Sequence, residues 1–424
     1  MIIKIIIYLY EIVDFEGFWM NICMVLEKYF PRDIRVEKEA RALINSGHEV
    51  YVLSLGRNGM PESDNFRGIN VIHIFPRKSF LNRAWEYLWF VTFFIRPFWR
   101  ERLEEVIKQY EIDIIHVHDL PLVKTAVSVA KKFGIPIIAD LHENYPEAVK
   151  ALKGSRKSLK SRIYNLLIPV WRWKRLEKTV LHRVDEVITV VDEAKKHYVN
   201  DCGLPPDKVT VVMNVVDLEE FERLGIDKTI TEKYRDNFVI SYIGGFGPHR
   251  GLDIAIKSMP RILREIPHAK LLLVGGKGPP EYETYLKKLC RDLKVERNVE
   301  FTGWVDFSLV PSYIAASNVC LIPHRPSGHT NTTIPHKLFQ YMAMRKPVIV
   351  TDCKPLKTIV EECNCGIVVP PDDFNAMAEA IIKLYKDEDY ARLLGENGRR
   401  MVEEKYNWKN EARKLLKVYE KYEK

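Results

Sequence analysis

Residues 327–352 read SGHTNTTIPHKLFQYMAMRKPVIVTD. Thr330, Thr332 and Thr333 lead to Pro335, and a helix-length segment follows. Threonine suits a helix N-cap, and proline suits the first turn, where its missing N–H costs nothing. Leu338, Phe339 and Met342 recur at a spacing that turns one side of the helix to a core. The helix is expected to stop before Lys346-Pro347, and Val348-Ile349-Val350 reads as a buried strand. Loop, helix, turn and parallel strand make the repeating step of an α/β sheet. Free N–H groups and the positive dipole end of such a helix form a seat for phosphate. His336, Lys337 and the threonine hydroxyls are further donors. On these residues alone, a plain capped helix on an α/β sheet fits as well.

The β/α rhythm continues on both sides. Phe238–Ile243 reads as a strand, and the loop Gly244–Gly251 carries Gly245 and Arg250 ahead of a helix at 252–262. Glycine lets a backbone approach a ligand closely, and arginine is a planar two-point donor for phosphate. Lys270–Val274 leads to Gly275-Gly276, Val299–Val305 holds Gly303, and Val319–Pro323 is a further strand. No loop has the G-x-G-x-x-G spacing of a dinucleotide site, which argues against an NAD-dependent oxidoreductase.

In the first half, Asn21–Leu26, a helix at 37–45 and Gly47–Leu53 make a β-α-β unit starting at Met20. Residues 1–19 are apolar at first but too short to span a bilayer. They read as an upstream extension, with an interfacial anchor as the competing idea. Residues 80–99, FLNRAWEYLWFVTFFIRPFW, are dominated by aromatics. A buried helix and an aromatic face at a membrane surface both fit. Asp113–Asp119 is a strand that delivers His116, His118 and Asp119 to its C-terminal end, where open α/β sheets bind ligands. Asp140-Leu141-His142-Glu143 repeats the pattern on the next strand. Residues 153–183 are basic with interleaved tryptophan and leucine, which suits a solvated face or anionic membrane. No nucleic-acid module is present. Residues 219–236 are polar and read as a linker.

The chain has 424 residues, 46% of them hydrophobic and 29% charged, with a net charge of +8. That is room for more than one domain of about 100–200 residues. Seven scattered cysteines without a C-x-x-C pair favour neither zinc nor disulfides, so the chain reads as intracellular.

Several ordered blocks resemble the GT-B glycosyltransferases of retaining family 4. They are Pro335-His336-Lys337-Leu338-Phe339-Gln340-Tyr341-Met342-Ala343 with Lys346-Pro347-Val348-Ile349, His116-Val117-His118-Asp119, Asp140-Leu141-His142-Glu143, Asn214-Val215-Val216-Asp217, and the Gly244–Gly251 loop. The resemblance covers the chain from Met20 onward. It implies two Rossmann-like β/α/β domains facing a central cleft, with a C-terminal helix crossing back to the first. The boundaries would be 20–218 for the acceptor-side domain, 219–236 for the linker, 237–405 for the nucleotide-sugar domain and 406–424 for the returning helix.

The same resemblance implies a donor site of Gly245, Arg250, Gly276, Gly303, Thr332, Thr333, Lys337 and Gln340, with His118, Asp119 and Glu143 as catalytic candidates. No metal and no cofactor besides the nucleotide-diphosphate sugar are expected, since no D-x-D clamp follows a strand. One departure stands out. The family commonly has two glutamates where this chain has Thr332 and Gln340, which leaves donor identity and activity open. Hence a GT-B epimerase acting on a UDP-sugar, or a non-catalytic subunit of a membrane glycosyltransferase complex, are alternatives. A lipid-linked or cell-envelope acceptor, peripheral membrane contact and a cytoplasmic place at the inner membrane face are the remaining expectations.

Overall fold

The computed structural model describes residues 19–31, 33–75, 79–153, 164, 166–276 and 278–423. Residues 1–18 of the expected extension at 1–19 and the basic residues Arg156, Lys157, Lys160 and Arg162 lie outside these. The chain divides into two compact units. One holds the residues up to Leu141 with Leu176–Ile188 and Ala412–Lys424, and the other holds His142–Arg175 and Thr189–Glu411.

The first sheet contains β1 (Asn21–Tyr29), β2 (Glu49–Leu55), β3 (Ser63–Phe66), β4 (Ile69–Ile74), β5 (Ile114–His118), β6 (Ile137–Leu141), β7 (Glu186–Thr189) and β8 (Val209–Val211). Their order is β3-β4-β2-β1-β5-β6-β7-β8. β1 pairs in parallel with β2 and β5, and β5 with β6, while β3 is an antiparallel addition at the edge. The order reverses between β1 and β5, which is where a doubly wound sheet opens a crevice at its carboxyl ends. Every residue of β5 is buried, and its register sets His118 opposite Asp140. The helix Ile34–Asn45 starts under Asp33, whose carboxylate accepts the N–H groups of Arg35 and Val36.

The aromatic stretch forms the helix Phe80–Phe93, separated from Pro97–Gln109 by a left-handed Phe94. Of the two readings, burial fails. Only Phe90 and Val91 of this helix are buried, while Phe80 and Leu81 are each 75% exposed, Trp85 55% and Leu88 56%. Its acid turns inward, Glu86 accepting the Phe98 N–H at 3.0 Å, so Arg83 is the charge left outside. No described helix is long and apolar enough to cross a membrane.

The second unit is built on β9 (Phe238–Gly245), β10 (Ala269–Gly276), β11 (Val299–Gly303), β12 (Val319–Ile322), β13 (Val348–Thr351) and β14 (Gly366–Val369). Their order is β11-β10-β9-β12-β13-β14, and every pairing is parallel. This is a doubly wound order whose reversal falls between β9 and β12. β9, β10 and β12 read as near-continuous apolar runs, and the helices Leu252–Glu265 and Phe374–Lys386 share one core with them. The stretch read as a linker holds two short helices, Leu218–Arg223 and Lys228–Lys233. Each is capped by an aspartate, Asp217 and Asp227, and each is too short to show a hydrophobic period. All seven cysteines are buried thiols.

Candidate active site

The reversal point of the second sheet gathers a group of buried and half-buried basic side chains. β9 ends at Gly244-Gly245, where the Tyr242 hydroxyl donates to the Gly245 carbonyl at 2.8 Å. Gly245 and Gly276 are register partners, and the Phe246 N–H donates to the Gly276 carbonyl at 3.1 Å. A side chain at Gly244 (φ +138°) would place its Cβ 2.7 Å from Lys337 Nζ. At Gly251 (φ +65°) a Cβ would lie 1.9 Å from the Pro323 carbonyl oxygen. Glycine at these two places lets the loop after β9 close down onto Lys337 and onto the end of β12. Gly303, at the end of β11 with φ +72°, precedes the exposed Trp304.

Lys337 is only 9% exposed, and its ammonium has no hydrogen-bond partner. It lies 3.6 Å from the centre of the Tyr242 ring. Burial, with Arg250 adding repulsion, holds its pKa well below the ordinary lysine value. Arg250 Nη1 donates to His324 Nε2 at 3.0 Å. His324 is buried, and burial followed by the charges of Arg250 and Lys337 keeps it well below the usual imidazole range. His249 and His329 approach with ring centres 6.0 Å apart. Burial first, then Arg250, His329 and Lys337, push His249 down to about 3. Burial and Arg250 push His329 down to about 4. The carboxylate of Glu143 stands beside the cluster, its Oε2 3.6 Å from His329 Nδ1. A site this rich in buried donors and this poor in acceptors is built for an anion.

The helix following this loop departs from the sequence reading. It runs only from Lys337 to Ala343, and its N-cap is His336, with no threonine capping it. The first-turn N–H groups of Leu338, Phe339 and Gln340 already bond to the carbonyls of Pro335 and His336. The hydroxyls of Thr332 and Thr333 donate to the carbonyls of Gly328 and His329, at 2.7 and 3.0 Å. They shape the loop, and the cationic side chains carry the charge. Gln340, one turn beyond Lys337 on the same face, is buried with its amide nitrogen unbonded. Arg325 is committed elsewhere, to Asp253 and Asp372.

In the first unit, His116 and His118 stack with centroids 4.5 Å apart, as their shared strand face requires. His118 Nδ1 lies 3.4 Å from Asp140 Oδ2, and His116 Nδ1 lies 2.6 Å from the Tyr419 hydroxyl. Glu39, His116, His118 and Asp140 have the donor types and spacing of a cation site. The guanidinium of Arg35 fills that role, gripping Asp140 through two bonds of 3.0 and 2.9 Å and Glu39 at 3.0 Å. Burial opposes the Arg35 charge, and the two carboxylates outweigh it and raise its pKa. Asp119 sits at the reversal point with φ +62° and pairs with Lys28 at 3.0 Å.

Thus the structure brings Gly245, Gly276, Arg250, Lys337 and Gln340 onto the carboxyl ends of one sheet, with Glu143 in the same unit. His118 and Asp119 occupy the equivalent position of the first sheet. Sequence reasoning missed Tyr242, His249, His324 and His329. The signal was present, since three histidines stand beside glycine or arginine within the loops that follow β9 and β12.

The family model described as "Glycosyl transferases group 1" matches residues 237–387, and "Glycosyltransferase Family 4" matches 34–220. The uncharacterized glycosyltransferase MJ1607 of Methanocaldococcus jannaschii is 25% identical, over 94% of this chain and 98% of its own. A GDP-mannose-dependent alpha-(1-6)-phosphatidylinositol monomannoside mannosyltransferase of Mycobacterium tuberculosis is 26% identical over 58% of this chain and 65% of its own. The crystal structure of Anabaena HepE with UDP-glucose superposes with a TM-score of 0.71 at 14% identity, covering 95% of this chain and 100% of that one. Matched by glycosyltransferase models in both halves and by whole-length relatives of the same kind, the chain is a GT-B glycosyltransferase of the family 4 type.

Proposed function

We propose that this nucleotide-sugar-dependent glycosyltransferase moves a sugar to a lipid-linked or cell-envelope acceptor hydroxyl, with retention of configuration. The observation that carries the reading is the buried, unbonded ammonium of Lys337 beside Arg250 at the reversal point of the second sheet. Departure of the diphosphate leaves negative charge on its oxygens. Fixed cations in a site already stripped of water stabilise that charge without reorganising. In this reading Arg250 and Lys337 hold the diphosphate, and Gln340 donates its free amide to the nucleotide. Gly245, Gly276 and Gly303 allow close approach. Glu143 orients the acceptor hydroxyl, and His118 and Asp119 are the catalytic candidates of the first sheet. The departing phosphate takes the acceptor's proton, and no further cofactor or metal is assigned a role.

The acceptor class is supported by the exposed aromatic helix Phe80–Phe93. A helix of 14 residues is about 21 Å long, short of the ~30 Å hydrocarbon core, so it suits lying on a bilayer. Tryptophan and tyrosine favour that interface, and the outward Arg83 suits anionic headgroups. The relative from M. tuberculosis, whose name gives a phosphatidylinositol mannoside, points the same way. The place of action is then the cytoplasmic membrane face.

The test is calorimetry with UDP and GDP on the wild type and Arg250→Ala. Loss of one charged hydrogen-bonding partner costs about 1.5–3 kcal/mol, hence at least about tenfold in Kd. Equal binding by both proteins removes Arg250 from the site and the reading with it.

A further inference from the structure

The donor site holds more basic nitrogen than its resting state can charge. His249, His324 and His329 crowd Arg250 and Lys337 on the loops that follow β9 and β12. The three histidines are not equivalent. His324 Nε2 accepts a hydrogen bond from Arg250, which fixes it as a neutral ring. His329 Nδ1 is buried, makes no hydrogen bond, and has the Glu143 carboxylate 3.6 Å away. His249 faces Arg250, Lys337 and the His329 ring. Both are positioned to gain a proton once the local charge changes sign.

Resting on the donor-site reading above, we propose that His249 and His329 contact the donor's diphosphate and take up protons from solvent as it binds. Burial and the neighbouring cations hold the two rings down to about 3 and about 4, so both are neutral near pH 7 in the free protein. A negative charge about 4 Å away, screened as proteins screen, favours an imidazolium by about a thousandfold. For His329 that brings protonation to neutrality. The site thereby avoids four mutually repelling cations when empty and acquires them when the anion arrives. This also answers the neutral Thr332 and Gln340. With no carboxylate at either place, the site tempers its positive charge with groups that can discharge.

The test is calorimetric titration at pH 7 with UDP-glucose and with GDP-mannose, whose doubly esterified diphosphates carry no proton titrating near neutrality. Each titration is repeated in PIPES, HEPES and Tris. The apparent enthalpy should vary with buffer ionisation enthalpy with a slope of about one proton taken up. His249→Gln and His329→Gln should each reduce the slope, and the double variant should abolish it. Wild-type affinity should fall as pH rises from about 4 toward 7, by up to tenfold per pH unit for each proton, and level off above that. Binding with zero slope and a flat pH profile overturns the proposal and leaves the donor site intact. A slope that survives in the double variant assigns the proton to Lys337 and overturns it too. Absence of binding by either nucleotide sugar overturns the donor site itself.

Discussion

Replacing Lys337 by methionine should make the protein more stable and less competent at the same time. The side chain is of similar length, so packing is kept while the charge is removed. In the free protein the ammonium is buried, without a hydrogen bond, and close to Arg250. An unsatisfied buried polar group costs about 1–3 kcal/mol, more when charged. Against this stands the contact with the Tyr242 ring, worth up to about 2 kcal/mol when desolvated. The balance is a gain of about 1 kcal/mol on removing the charge at pH 7. The sign follows from linkage. The folded-state pKa of Lys337 is lowered, so the unfolded chain binds the extra proton and the wild type is weakened below the free lysine value of about 10.4. The advantage of Lys337→Met should therefore shrink as pH approaches 10. Donor binding moves the opposite way, weakening about 10- to 150-fold for the loss of a charged contact of about 1.5–3 kcal/mol. Thermal melting from pH 7 to 10 together with calorimetry on UDP measures both. A variant that melts lower than wild type at pH 7 and binds UDP equally well would refute the reasoning, because the ammonium would then be a structural cation.

The buried histidines make the second unit sensitive to acid. His329 is pushed from its ordinary value to about 4, so its unfolded form binds the proton first, and stability is lost as pH falls from about 6.5 toward 4. His329→Gln should remove about 3 kcal/mol of that loss, read as a shallower dependence of the denaturation midpoint on pH over this window. At the membrane, Trp85→Ser with Leu88→Ser should reduce co-sedimentation with vesicles of anionic phosphatidylglycerol several-fold while leaving UDP binding intact. Equal sedimentation by variant and wild type removes the aromatic helix from any lipid contact.

The β/α alternation was legible because the strands of both sheets are buried on two faces and read as apolar runs. The sequence Phe238–Ile243 and the strand Ile114–His118 announce themselves in this way. The places of Arg250 in the loop after β9, Lys337 at the start of a helix and His118 at the end of β5 were legible from their motifs. The helix cap at His336 was not, because Thr332 and Thr333 satisfy backbone carbonyls four residues back, a local choice that propensity does not decide. The histidines carried a local signal, but their gathering into one cluster was not legible, for a different reason. His249 lies 80 residues before His329, and only the parallel pairing of β9 with β12 brings their loops together. The role of Arg35 was hidden likewise, since Asp140 stands 105 residues further on.

The bond between His116 and Tyr419 joins residues 303 positions apart. A ribosome adding about 5–20 residues per second makes the histidine about 15–60 s before its phenol exists. Throughout that interval the nascent first unit carries stacked imidazoles and a guanidinium–carboxylate knot with one partner still unmade. Closure of the first unit is therefore coupled to a helix made some three hundred residues after the strand it completes.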